Sequence, residues 1–199
     1  MIDYLQNIDN NIVLYINEHN SIFLDNIMWI ISSKLIWIPL YLFFLFLIYK
    51  NYKKDVFKIL IIFGLTILLS DFTSSGIIKK SVKRYRPSHN KEISSKLNYH
   101  RNSDNSEYRG GDYGFVSSHS ANSMAVAIIL IFLFRKKNRY IWLLLIWAMI
   151  ISYSRIYLGV HYLSDVLGGM FVGFCSASLV IFLFKKIKYL NFSELQLER

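Results

Sequence analysis

Cysteine occurs once in this 199-residue chain, as Cys175 inside an apolar block. An intramolecular disulfide is therefore excluded, and the residue reads as facing lipid or core. Proline occurs twice, at Pro39, where it is expected to bend an apolar stretch, and at Pro87, inside a polar one. Charge is sparse. Asp, Glu, Lys and Arg make up 18% of residues, below the roughly 25% of soluble domains. No basic region followed by an apolar run opens the chain, so no cleavable signal peptide is expected. No internal repeat or low-complexity segment is seen. No carboxylate cluster suits Mg²⁺ and no Cys/His spacing suits zinc, so no metal and no cofactor is expected.

Hydrophobic residues are 54% of the chain and aromatic residues 17%. The apolar residues fall in long blocks rather than at amphipathic spacing. That pattern predicts an all-α integral membrane protein, one polytopic helical bundle over residues 1–199. The formal net charge of +10 could suggest nucleic acid. The basic residues instead cluster beside apolar blocks, as they do at membrane surfaces, so no nucleic-acid partner is expected.

Residues 2–18 carry Ile2, Leu5, Ile8, Ile12, Val13 and Ile16 among polar residues. That is a helical stripe too polar to span, expected as an interfacial helix, with a soluble N-terminal helix as the alternative. About five spans follow, with a catalytic core at about 59–184. The first lies within about 26–50, its start blurred by Ser32, Ser33 and Lys34; the second runs from about Ile59 to Ile78. A solvent-facing loop of functional length occupies 79–116. The remaining spans lie at about 119–134, 140–157 and 162–184.

Basic turns at 50–58 and 135–139 and a basic tail at 185–188 fall on one side by parity. The positive-inside tendency makes that side cytoplasmic and puts the long loop outside. The loop itself holds nine Lys or Arg between 79 and 109; if these bind phosphate, they do not report topology. The expected setting is a membrane, with the 155–161 junction on the same outer face as the long loop.

Parity also brings four helix ends to that outer face. The unusual residues sit there: Lys79 and Arg86; Ser117, Ser118 and His119; Ser154 and Arg155; His161 and Asp165. If the chain is helical at 161–165, His161 and Asp165 share a face. A carboxylate behind an imidazole fixes its tautomer and raises its nucleophilicity. Arg155 adds a fork of donors suited to phosphate. Lys79 and Arg86 are two helical turns apart, so one face can present both if the helix continues that far. The residues point to phosphoryl transfer.

The spacing Lys79-x6-Arg86-Pro87, then a Ser-x-His element, then Ser154-Arg155-x5-His161-x3-Asp165 resembles the type 2 phosphatidic acid phosphatase family. These are also called the lipid phosphate phosphatases, and they share their site with vanadium haloperoxidases. The second motif departs from the family's Pro-Ser-Gly-His: here Val116-Ser117-Ser118-His119 stands in its place. The resemblance implies a metal-independent phosphatase. His161 would attack phosphorus to form a phosphohistidine, and Asp165 would orient it. His119 would protonate the leaving oxygen and later activate water. Lys79, Arg86 and Arg155 would hold the nonbridging oxygens, with Ser117 and the Ser118 N–H as further donors. The expected partner is a lipid phosphate, with undecaprenyl pyrophosphate favoured and lipid A, phosphatidylglycerophosphate or phosphatidate as alternatives. A non-catalytic transporter or flippase would carry its ionisable residues at mid-span and in paired halves, which this chain does not.

Some residues have more than one reading. Lys79 taken alone reads as a snorkelling residue, as does Lys80 or Lys83, and Arg84 reads as a solvated charge. Asp71, an acid within a span, is either a partner for a basic residue of the site or a buried hydrogen-bonded helix acid. Tyr108, Tyr113 and Phe115 fit a lid or an aromatic belt. Gly169 and Gly173 form a small-xxx-small face for close helix packing.

Overall fold

The computed structural model describes residues 2–186; Lys188 of the basic tail lies outside them. The chain builds α1 (Ile2–Glu18), α2 (Ile22–Ser32), α3 (Ile38–Tyr52), α4 (Val56–Asp71), α5 (Lys79–Val82), α6 (Ser118–Phe134), α7 (Leu143–Tyr157) and α8 (Leu163–Lys186). By length and composition, three helical runs could cross a membrane: Leu35–Val82, Arg139–Tyr157 and Leu163–Lys186. The first is broken at Lys53–Asp55 into α3 and α4, and α6 is a shorter apolar helix. The bundle of α3, α4, α6, α7 and α8 matches the five expected spans.

The first block differs from expectation. It is two helices, α2 and α3. Ser33 is extended (φ −72, ψ 137) and ends α2. Pro39 sits in the first turn of α3, where its missing N–H costs nothing, so it starts a helix rather than bending one. Between α4 and α5 the rod continues through a π-helical segment, Phe72–Ile78, a form that recurs at functional sites.

Helix α6 is buried almost all round, as a helix apolar on every side should be. It packs on α8 through glycines: a Cβ at Gly169 would meet the carbonyl oxygen of Ser117, and one at Gly173 that of Ala121. The small-xxx-small face is therefore the seam of the bundle. At the opposite end from the polar loop, the Tyr52 hydroxyl donates to the Leu133 carbonyl. Lys137 Nζ reaches Asn51 at 3.3 Å, and Lys185 Nζ lies 4.8 Å from the Phe132 ring. The three basic segments thus share one end of the bundle, as parity requires.

The 79–116 segment is a cap rather than a free loop. Pro87 and Ser88 are buried beside short 3₁₀ turns, and Ile93 and Leu97 enter a cluster with Val13, Ile156, Tyr162 and Val166. Burying each of those two aliphatics contributes about 1.5–3 kcal/mol. Asn17 of α1 fastens the cap: its amide donates to the Asn98 and Tyr157 carbonyls, both at 2.9 Å.

Candidate active site

The cap places two arginines by strand-like pairing. Arg86 N–H donates to the Asp112 carbonyl at 3.1 Å and Gly114 N–H to the Arg84 carbonyl at 2.8 Å. In extended backbone, residues two apart face the same way. Arg84 and Arg86 therefore both turn inward while Tyr85 is exposed. The α5 helix ends at Val82, with Lys83 left-handed at φ 51. Lys79 and Arg86 hence reach the site from a helix and an extended segment, not from one helical face. Pro87 is the reason for the latter, because it disfavours helical backbone at the residue before it.

His161 also lies outside a helix, in the turn between α7 and α8. Asp165, three residues into α8's first turn, reaches back instead. Its Oδ2 accepts the Tyr162 N–H at 3.0 Å and faces His161 Nδ1 at 3.3 Å. The first contact is the carboxylate half of a capping box. It holds the second in place. With Nδ1–H donating to Asp165, Nε2 carries the lone pair, and it accepts from Arg86 Nη1 at 3.1 Å. Burial first, then the charges of Arg86, Arg155 and Lys79, hold the His161 imidazole well below its ordinary value of 6.5. Burial and then Arg155 likewise push the Arg86 guanidinium down to about 10, so it remains charged at neutral pH.

Arg155, near the end of α7, donates to the Ser32 hydroxyl of α2 and, at 3.0 Å, to the Tyr108 hydroxyl. Among the described residues, its buried Nε has no hydrogen-bond partner. Lys79 Nζ lies 3.4 Å from Ser118 Oγ, which is 2.6 Å from Ser75 Oγ. The serine that departs from the family pattern is thus tied to the neighbouring lysine. Ser117 is fully buried. Its N–H donates to the Asp165 carbonyl at 2.9 Å, and its Oγ caps α6 by accepting from Ser120 N–H. It joins the starts of α6 and α8, and the first turn of α6 presents His119. The charges of Arg155, Lys34, Arg86 and Lys79 all act on His119. Among the described residues, Lys79, Arg86 and Arg155 form no ion pair with any carboxylate. Three partly or fully buried cations around one imidazole make an anion site.

Three expectations are corrected. Arg84 is not a solvated charge: it bridges Asp9 at 2.8 Å and Asp165 at 3.0 Å. Asp71 is exposed rather than buried and accepts from Asn122 Nδ2 at 2.9 Å; among the described residues it forms no ion pair, and it acts on Lys79 only through its charge. The polar cap hides anchors that its composition did not suggest. Tyr108 touches Arg155, whereas Tyr113 gives its carbonyl to Arg86 Nε at 3.1 Å and its ring to Tyr85. Sequence reasoning missed Asp9, Ser32, Lys34, Ser75 and Gly114. Only the polar pair Asp9 and Asn17, on one face of α1 with Val13 between them, carried a usable signal.

Known proteins resemble this chain in sequence and in fold. A lipid A 4'-phosphatase of Bacteroides thetaiotaomicron is 36% identical over 188 residues, covering 94% of this chain and 81% of the relative. A lipid A 4'-phosphatase of Porphyromonas gingivalis is 33% identical over 198 residues, covering 96% and 80%. An undecaprenyl-diphosphatase of Sulfolobus acidocaldarius is 29% identical over 174 residues, covering 84% and 75%. The fold matches the crystal structure of a transmembrane PAP2-type phosphatidylglycerolphosphate phosphatase from Bacillus subtilis with a TM-score of 0.68 at 24% identity, over 94% of this chain and 90% of that one. The family model covers residues 56–189, which include Lys79, Arg86, His119, Arg155, His161 and Asp165, and the chain belongs to the PAP2 superfamily.

Proposed function

We propose that the protein is a membrane phosphatase that removes a phosphate group from a lipid, by attack of His161 Nε2 on phosphorus. The observation that carries this is the cluster of Lys79, Arg86 and Arg155 around an imidazole whose other nitrogen faces Asp165. An incoming phosphate would take over the Arg86 donors now spent on His161 Nε2. Nucleophilic attack forms a P–N bond while the P–O ester bond breaks, and His119, entering the step as an imidazolium once the phosphate's negative charge offsets the surrounding cations, gives the leaving oxygen its proton. Water then attacks the phosphohistidine, His119 takes the water's proton, and the P–N bond breaks to release phosphate and free His161. Lys79, Arg86 and Arg155 would neutralise the nonbridging oxygens in both steps. In this reading the positive charge comes from side chains.

The substrate class best supported is a lipid phosphomonoester of the lipid A kind. The two lipid A 4'-phosphatases align over most of this chain. Undecaprenyl pyrophosphate is the second reading, favoured by the Sulfolobus acidocaldarius relative. The Bacteroides and Porphyromonas relatives support a bacterial membrane setting, and the basic segments at the other end of the bundle support a site at the outer face. The test is phosphate release in detergent from lipid A, undecaprenyl pyrophosphate, phosphatidylglycerophosphate and phosphatidate, with and without EDTA. The expected outcome is release that is fastest from lipid A, unchanged by EDTA and blocked by vanadate, a mimic of five-coordinate phosphorus. No release from any of the four lipids would overturn the proposal.

A further inference from the structure

We infer that Asp9 and Arg84 are positioning residues for the nucleophile, so that the N-terminal helix α1, which precedes the family-matched residues 56–189, is a working part of the site. The inference rests on the phosphatase reading above. It begins with the inverted polarity of α1. Tyr4, Leu5, Ile8 and Tyr15 are exposed, whereas Asp9, Asn10 and Asn17 are buried beside Val13. An interfacial helix of this kind leaves its apolar side for lipid and turns a polar stripe toward the protein. Burial of that stripe is costly unless each group is paired.

Asp9 is paired at both oxygens. Oδ1 accepts the Ser164 N–H at 3.1 Å, and Oδ2 accepts from Arg84 Nη2 at 2.8 Å and from the Ser164 hydroxyl. Gln6, one turn earlier, accepts from the same guanidinium at 2.8 Å. Arg84 Nη1 then reaches Asp165 Oδ1 at 3.0 Å and Ser164 Oγ at 2.6 Å, and its guanidinium lies 4.1 Å from the centre of the Tyr162 ring. The division of labour at Asp165 matters most. Arg84 holds Oδ1, and Oδ2 is left for His161 Nδ1 and Tyr162 N–H. A planar guanidinium bridging two carboxylates fixes both in orientation, which a lysine's point charge does not. Without the Asp9 anchor, Arg84 loses one end of that bridge. Asp165 can then rotate and the His161 ring with it.

The test uses the full chain in detergent, with phosphate release from the lipid that wild type turns over fastest. Asp9→Asn and Arg84→Lys should each lower kcat about ten- to a hundredfold by misorienting the nucleophile, with KM within about twofold. Asp9→Glu should recover part of the loss. In an Asp165→Asn background the same changes should cost little more, because the carboxylate they position is gone. A second readout needs no turnover. The downfield proton NMR signal of His161 Nδ1–H should shift or broaden in Asp9→Asn and in Arg84→Lys, and stay put in Asn11→Ala on the exposed side of α1. Folded Asp9→Asn and Arg84→Lys variants with wild-type kcat and an unmoved signal would overturn the inference. So would losses that multiply in full with Asp165→Asn. A wild type inactive on every lipid, with the signal moving as described, would instead count against the phosphatase reading alone.

Discussion

Arg86 Nη1 stands 3.1 Å from His161 Nε2. The cation meant for the phosphate therefore rests on the nitrogen that would attack it. Burial and then this contact hold the imidazole well below its ordinary value. In the proposed reaction, phosphate would draw the arginine across.

The first prediction follows from the sign of that effect. A lowered value means that His161 stays neutral as pH falls through 6.5 and gains its proton only well below it. Nitrogen-15 NMR of the ring in the substrate-free protein should show a midpoint well under 6.5. Arg86→Gln, which removes the largest charge acting on the ring, should move the midpoint upward. A wild-type midpoint at or above 6.5 contradicts the electrostatic account.

Gly114 supplies the second prediction. A Cβ there would lie 2.6 Å from Asp165 Oδ2, closer than any carbon approaches a carboxylate. Gly114→Ala should push that oxygen off His161 Nδ1 and lower kcat by about tenfold, the equivalent of roughly 1.4 kcal/mol in the barrier. Steady-state kinetics beside a melting curve reads both effects. Unchanged kcat would mean that Asp165 does not orient the nucleophile.

The seam between α6 and α8 is the basis of the third. Gly173→Leu inserts a side chain where even a Cβ meets the Ala121 carbonyl. Overpacking of this kind costs about 1–3 kcal/mol. The detergent-solubilised protein should melt lower, and activity should fall with it, because Ser117 and Asp165 join the same two helices, one turn away along α6 and about two along α8. A melting temperature equal to wild type would show that the seam is slack.

The bundle was legible because membrane spans are written as apolar blocks, and the convergence of His119, Arg155, His161 and Asp165 because parity fixes which helix ends meet. The rest depends on pairing that no local pattern encodes. Arg84 looks like one more loop cation until residues 84–86 pair with 112–114, which turns it inward beside Arg86. Asp9 looks like the polar side of an interfacial helix until that side docks on Ser164. Ser32 and Lys34 blurred the first span in the sequence. In the fold they end α2 beside the site, where Ser32 holds Arg155. Asp71 shows the reverse: an acid in an apolar run suggested a direct partner in the site, and its hydrogen bond goes to Asn122 while its charge is felt at Lys79.

The most direct test of the account is phosphate release by His161→Ala beside wild type, at matched melting temperature and with EDTA present. The variant should lose turnover by at least about 10⁴-fold, since the covalent intermediate is assigned to His161. Release at or near the wild-type rate would contradict it.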